Sequence, residues 1–194
     1  MANTRNFAWL VGDYVGNHER QQQAKEAGCK LVLEFHFNSG ESTTQGGEVW
    51  FKSGDTFSEN IAKEIRTGFQ GLKLPLLDPS VNEATTGTKA GWLPFYSGSV
   101  VLLEPLFLSN ADQAEWIHDA ANLAKLAQAI AAACIKTTAT GDLIGLSIGH
   151  RFKHSSPHDN GARCEQGDFE ADHAQILALS VASELAGPQV GDLS

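Results

Sequence analysis

Residues Leu31–Asn38 read LVLEFHFN: five apolar positions carry a short run that ends in a histidine and an asparagine. A run this short and this apolar fits a buried strand better than a helix, which needs ten residues or more to bury a stripe. Upstream, Phe7–Val11 has the same character, and His18–Ala27 between them reads as a helix stopped at Gly28. Strand, helix and strand joined by short links predict a mostly parallel central sheet with helices on both faces, an α/β fold.

Working outward, EVWFKS (Glu48–Ser53) reads as a further short strand, and Thr56 with Glu59 offers a capping box for the helix that follows. Phe57, Ile61, Ile65 and Phe69 recur every four residues and form one apolar stripe directed to the core. Leu72–Gly98 contains Pro75, Pro79 and Pro94 and reads as an irregular loop able to border a groove with Trp92, Phe95 or Tyr96. SVVLLE (Ser99–Glu104) restores a central strand. Asn110 with Gln113 caps one long Ala-rich helix running to about Ile135. Leu143–Ile148 is the last strand, and Glu170–Leu185 the last helix, closed by Gly187-Pro188.

The chain has 194 residues, 42% of them hydrophobic, and a formal net charge of −9. This length and composition fit one catalytic-sized domain over residues 1–194 and exclude collagen, coiled coil and disorder. The acidic balance argues against nucleic acid as a partner. No apolar stretch reaches the roughly 20 residues needed to span a bilayer, so no transmembrane segment is expected. The opening MANTRNFAWLVGDYVGNHERQQQ does not read as a signal peptide. Synthesis and folding in a cytoplasm are therefore expected. Cys29, Cys134 and Cys164 make neither a disulfide framework nor a close ligand pair; buried thiols are the expectation for the first two.

Three predicted strands end in residues capable of chemistry: EFHFN at Glu34–Asn38, LLEPLFLSN at Leu102–Asn110 and SIGH at Ser147–His150. The carboxyl ends of parallel strands are where α/β sheets place ligands, so His36, Glu104 and His150 can converge, with Glu170 following at a helix start. Two histidines and one glutamate suit a zinc site with an open position, the other glutamate then serving in proton transfer. Spacing alone favours structural histidines, surface acids or another α/β activity over catalytic zinc.

These segments, with DNGA (Asp159–Ala162) and EADHAQILA (Glu170–Ala178), resemble the motifs of the zinc-dependent N-acetylmuramoyl-L-alanine amidases of the amidase-3 type. That family has a GH-containing motif, a DPGA-like loop, a glutamate opening a helix, a strand ending in SIHxN and a later LxExGFxSN. Here the motifs expected first come last, so the chain resembles a circular permutant: TTATGD (Thr137–Asp142) would join the usual last helix to the usual first strand. The resemblance implies Zn2+ held by His36, His150 and Glu170, with Glu104 as the catalytic carboxylate, and hydrolysis of the bond between N-acetylmuramic acid and L-alanine in peptidoglycan. The alternatives are a zinc peptidase cutting within the stem peptide and a non-catalytic peptidoglycan-binding protein. A monomer acting on the bacterial cell wall after release or delivery, as a bacteriophage endolysin does, is the expected setting.

Two departures stand out. Glu34 occupies a position where the family commonly has Ser, and its carboxylate can either orient a site group or make a lateral salt bridge. Pro105-Leu106 replaces the usual xGly after the glutamate. Asn38 and Asn110 are expected to fix local backbone, Asp159 to structure its loop, and His154 and His158 to stay off the metal. His173, three residues past Glu170, is expected in solvent or in a helix salt bridge, or else behind the metal ligands.

Overall fold

The computed structural model describes residues 4–164 and 166–187. Six strands and five α-helices follow along it: β1 (Asn6–Leu10), α1 (Glu19–Ala27), β2 (Leu31–Phe35), β3 (Gly47–Lys52), α2 (Thr56–Gly71), β4 (Leu76–Ala84), β5 (Ser99–Glu104), α3 (Ala111–His118), α4 (Ala120–Thr137), β6 (Leu143–Ile148) and α5 (Glu170–Ala186). The sheet order is β1-β6-β2-β5-β3-β4. The pairs β1–β6, β6–β2, β2–β5 and β3–β4 are parallel, and only β5–β3 is antiparallel. The mostly parallel α/β architecture expected from the strand–helix rhythm is the one observed.

Strand alternation divides the molecule. Leu31, Leu33 and Phe35 of β2, Val101 and Leu103 of β5, and Ile144, Leu146 and Ile148 of β6 face one side, where they pack with α2, α4 and α5 into the main core. The α2 stripe supplies Ile61, Ile65 and Phe69, all fully buried, each contributing about 1.5–3 kcal/mol by leaving water. The opposite parity (Val32, Val100, Leu102) meets Ala24 of α1, Leu93 and Tyr96 in a smaller core. Glu34, His36, Glu48 and Glu104 share that second parity, so the polar groups at the strand ends gather on the thinly covered face.

Four local readings are corrected. The α2 cap is Asp55, whose carboxylate accepts from the Phe57 and Ser58 amides, not Thr56, which is already helical. The Leu72–Gly98 loop contains the edge strand β4, whose turn-like LLDPSVNEA sequence conceals it. The Ala-rich helix is two: Asp119 leaves helical geometry after α3 and caps α4 by accepting from Ala121 and Asn122. Gln113 does not reach back to Asn110; its Oε1 accepts from the Phe107 amide instead. Gly187 ends α5 with positive φ, whereas Pro188 lies outside the described residues, as does Glu165.

Candidate metal centre and acid network

His36 follows directly on β2, and its amide donates to Leu103 O of β5 at 3.0 Å. The in-register pairing of Phe35 with Leu103 therefore sets Glu104 beside His36. His150 follows β6, the strand on the other flank of β2. It adopts φ 60°, a left-handed conformation that costs a non-glycine residue about 1–2 kcal/mol. Glu170 opens α5, with its backbone amide donating to Ala162 O at 2.8 Å. Three elements thus deliver three side chains to one point.

His36, His150 and Glu170 each present a ligand atom, all within 4.8 Å of one another. Glu170 Oε1 lies 2.9 Å from His36 Nδ1 and 3.3 Å from His150 Nε2. The Phe37 amide also donates to Oε1, and the Ala162 amide donates to Oε2. Burial alone would raise the pKa of Glu170; hydrogen bonds and charge from His150 and His36 instead hold it well below the ordinary carboxylate value. His36 and Glu170 are each only 5% exposed.

The histidines are oriented from behind. His150 Nδ1 is 2.9 Å from Asp159 Oδ1, so Asp159 orients the ring with Nε2 toward Glu170. Asp159 also accepts from the Gly161 amide and Lys153 Nζ. It therefore structures its loop, as expected, and aligns a site histidine too. His36 Nε2 is buried without a hydrogen bond, 3.9 Å from Glu34 Oε2. Glu34 is fully buried and accepts from the Tyr96 hydroxyl; it faces the site histidine without hydrogen-bonding to it. Two imidazole nitrogens and a carboxylate oxygen meet at one point. A His₂Glu donor set with carboxylates behind the histidines fits a divalent cation.

Glu104 sits in a separate network. Antiparallel pairing sets it opposite Glu48, and Lys89 bridges the two acids, 2.6 Å from Glu48 Oε1 and also bonded to Glu104. Asn38 joins this network by donating to Glu48 Oε1 at 3.0 Å and accepting from Lys89 at 2.9 Å. Its side chain holds the acids rather than the turn. Burial pushes the Glu104 pKa up to about 7 despite the opposing pull of Lys89 and His36. In Glu48 the balance reverses: burial raises the pKa, but bonds from Lys89 and Asn38 outweigh it and the net shift is downward.

Trp92 and Tyr14 wall the site, with ring centroids 6.0 and 5.7 Å from that of His36. Phe95 lies farther out, packed on His18. His154 pairs with Glu19 and is exposed, and exposed His158 joins neither this trio nor another metal-capable group among the described residues. His173 is buried, against the surface expectation. Sequence reasoning missed Lys89 and Arg20. Arg20 is fully buried and donates to Gly12 O, Ser147 Oγ and Ile148 O at 2.7 Å each, and to Arg151 O, fixing the turn that carries His150. Neither residue belongs to a motif, and their partners are distant in sequence.

Solved structures with this fold include the CwlD amidase of Clostridioides difficile in complex with the GerS lipoprotein. The match has TM-score 0.54 and 18% identity, and covers 62% of each chain. The catalytic domain of CwlV, an N-acetylmuramoyl-L-alanine amidase from Bacillus (Paenibacillus) polymyxa var. colistinus, matches with TM-score 0.53 and 22% identity over 63% of this chain and 65% of that one. An N-acetylmuramoyl-L-alanine amidase from Clostridium difficile 630 matches with TM-score 0.55 and 18% identity, over 63% and 64% of the two chains. The chain thus spans less than two thirds of the length of these structures. No curated protein sequence matches it. The family model described as N-acetylmuramoyl-L-alanine amidase matches residues 10–136, well over half of the sequence and inclusive of His36 and Glu104. The chain therefore belongs to the N-acetylmuramoyl-L-alanine amidase family.

Proposed function

We propose that the protein hydrolyses the amide between the lactyl group of N-acetylmuramic acid and L-alanine in peptidoglycan, with Zn2+ held by His36, His150 and Glu170. The observation that carries this reading is the convergence of those three side chains beside Glu104 on a family-matched scaffold. Zinc bound there would lower the pKa of a water and polarise the amide carbonyl. Glu104 takes the proton from the attacking water and returns it to the departing alanine nitrogen, so that the leaving group departs as a neutral amine. A pKa raised to about 7 suits a carboxylate that must both accept and donate near neutrality. Lys89 keeps the acid pair from repelling itself, and Asp159 holds the His150 ring.

We also infer that the chain is circularly permuted relative to its family. The family match ends at residue 136, ahead of SIGH and Glu170, which nevertheless complete the trio. The Arg5 amide donates to Leu185 O at 2.8 Å, so the approach to β1 lies against the end of α5, as a joined connection in the unpermuted order would require.

The test is mass spectrometry of products released from purified peptidoglycan by zinc-loaded protein, with chelator-treated protein as control. Stem peptides beginning with L-alanine, absent after chelation, are expected. Cuts inside the stem would replace this reading by a peptidase, and absence of release with zinc bound would replace it by a binding role. Wall lysis of the endolysin kind is the setting we infer. Turbidity loss of permeabilised cells on adding the protein tests that setting.

A further inference from the structure

A second group of donors converges where α3, the loop before α5 and α5 itself meet. His118 ends α3, Cys164 and Asp168 lie in the loop, and His173 is in the first turn of α5. Each presents one ligand atom, and the four atoms lie within 4.8 Å of one another. None belongs to the trio of His36, His150 and Glu170.

The hydrogen bonding around this group is incomplete in a specific way. His118 Nδ1 lies 2.6 Å from Ala114 O. A carbonyl only accepts, so Nδ1 carries a proton and Nε2 is left to a second proton or to a metal. That nitrogen faces Asp168 Oδ2 at 2.9 Å. His173 Nε2 approaches the same oxygen at 3.0 Å but makes no hydrogen bond, although the residue is only 4% exposed. Asp168 Oδ1 is likewise buried without a partner. Cys164 is almost fully buried, and its thiol donates to Gln166 Oε1 at 3.1 Å. Two imidazole nitrogens, a thiol and a carboxylate thus crowd one point at the rim of the fold, with His173 Nε2 and Asp168 Oδ1 buried and unpartnered there, and a cation would satisfy them together.

We propose that His118, Cys164, Asp168 and His173 form a second metal site, which takes a zinc-class divalent cation as a structural ligand. One thiolate and two imidazoles select zinc over magnesium or calcium. The thiolate and the Asp168 carboxylate together neutralise a dication. Four protein donors leave no open position for water, the mark of a structural rather than a catalytic centre. A tetrahedral shell at about 2.0–2.3 Å needs donors roughly 3.3–3.8 Å apart, so the side chains move by no more than about an ångström. The ion clamps the end of α3 to the loop and helix that carry Asp159 and Glu170.

Cobalt(II) loading followed by absorption spectroscopy tests this, because thiolate ligation produces a sulfur-to-cobalt charge-transfer band that the His₂Glu trio cannot give. The band is expected in the wild-type protein and in His36→Ala, and is expected to vanish in Cys164→Ser but persist in Cys29→Ser. Zinc content after loading and desalting is expected near two per chain, falling to about one in Cys164→Ser and in His118→Ala, whose side chain is exposed enough to be removed without disturbing the core. A wild-type protein without the band, or a band and zinc content unchanged in Cys164→Ser, overturns the proposal. Neither readout depends on peptidoglycan cleavage.

Discussion

A Cβ on Gly149 would lie 2.5 Å from Cε1 of His36 and 2.6 Å from its Nδ1. The glycine of SIGH is therefore a space for the imidazole of another strand, a relation across 113 positions of sequence that the motif conceals. Gly161, in DNGA, does the same for Glu170 Oε2 and His150 Cδ2, at 2.6 and 2.7 Å from a built Cβ, and has φ +71° as well.

Gly149→Ala should accordingly displace His36 and lower metal affinity by at least tenfold while the main core, on the other sheet face, stays intact. Metal titration alongside circular dichroism checks this, and wild-type affinity in the folded variant would refute the packing argument.

Glu104→Gln preserves shape but removes the proton acceptor. Turnover should fall by about 10²–10⁴-fold with metal content unchanged. Near-normal turnover in metal-loaded protein would remove Glu104 from the chemistry.

The pH profile should depend on Lys89. Glu104 acts as a base only when ionised, so kcat/KM falls as pH drops through its pKa. Lys89 favours the ionised form; Lys89→Met should therefore move the acid limb to higher pH, with wild type and variant compared at equal metal loading. A limb that stays in place would mean that another group sets it.

Asp159→Asn leaves a side chain that can still cap its loop but no longer attracts the Nδ1 proton of His150. Loss of such a partner behind a metal-bound histidine costs about 10–100-fold in affinity, measurable by competition with a chromophoric chelator. Unchanged affinity would restrict Asp159 to the loop.

Arg20→Met would strand four acceptors that now share one guanidinium. Destabilisation by about 3–5 kcal/mol is expected, or a Tm loss of roughly 6–20 °C for a chain of this size. A change below one kcal/mol would show that water replaces the guanidinium at no cost.

The strands that carry the site were legible because LVLEF, SVVLLE and LIGLSI are buried on both faces and read as continuous apolar runs. Edge strand β4 was not, since one face of it meets solvent and its Asp78-Pro79 imitates a loop. Asp119 broke an Ala-rich register that periodicity could not divide. His36, His150, Glu170 and Glu104 were found through motif resemblance rather than spacing, because their meeting depends on sheet order. Lys89 and Arg20 carry no local pattern at all: each acts on groups brought to it by tertiary structure, and a lysine before Ala-Gly or an arginine in a Gln-rich helix looks like any surface cation.

The position of β6 between β1 and β2 has a consequence for biogenesis. As the chain leaves the ribosome, β1 and β2 emerge early and cannot pair with each other in the native arrangement, since their places flank a strand made more than 100 residues later. Until Leu143–Ile148 arrives, two strand edges destined for the middle of the sheet stay open, and such edges are the ones that recruit foreign strands. The step that closes this gap also brings in the turn bearing His150. Completion of the sheet thus delivers the second ligand of the trio, Glu170 follows only with α5, and a nascent chain stalled before β6 has neither a closed sheet nor a site.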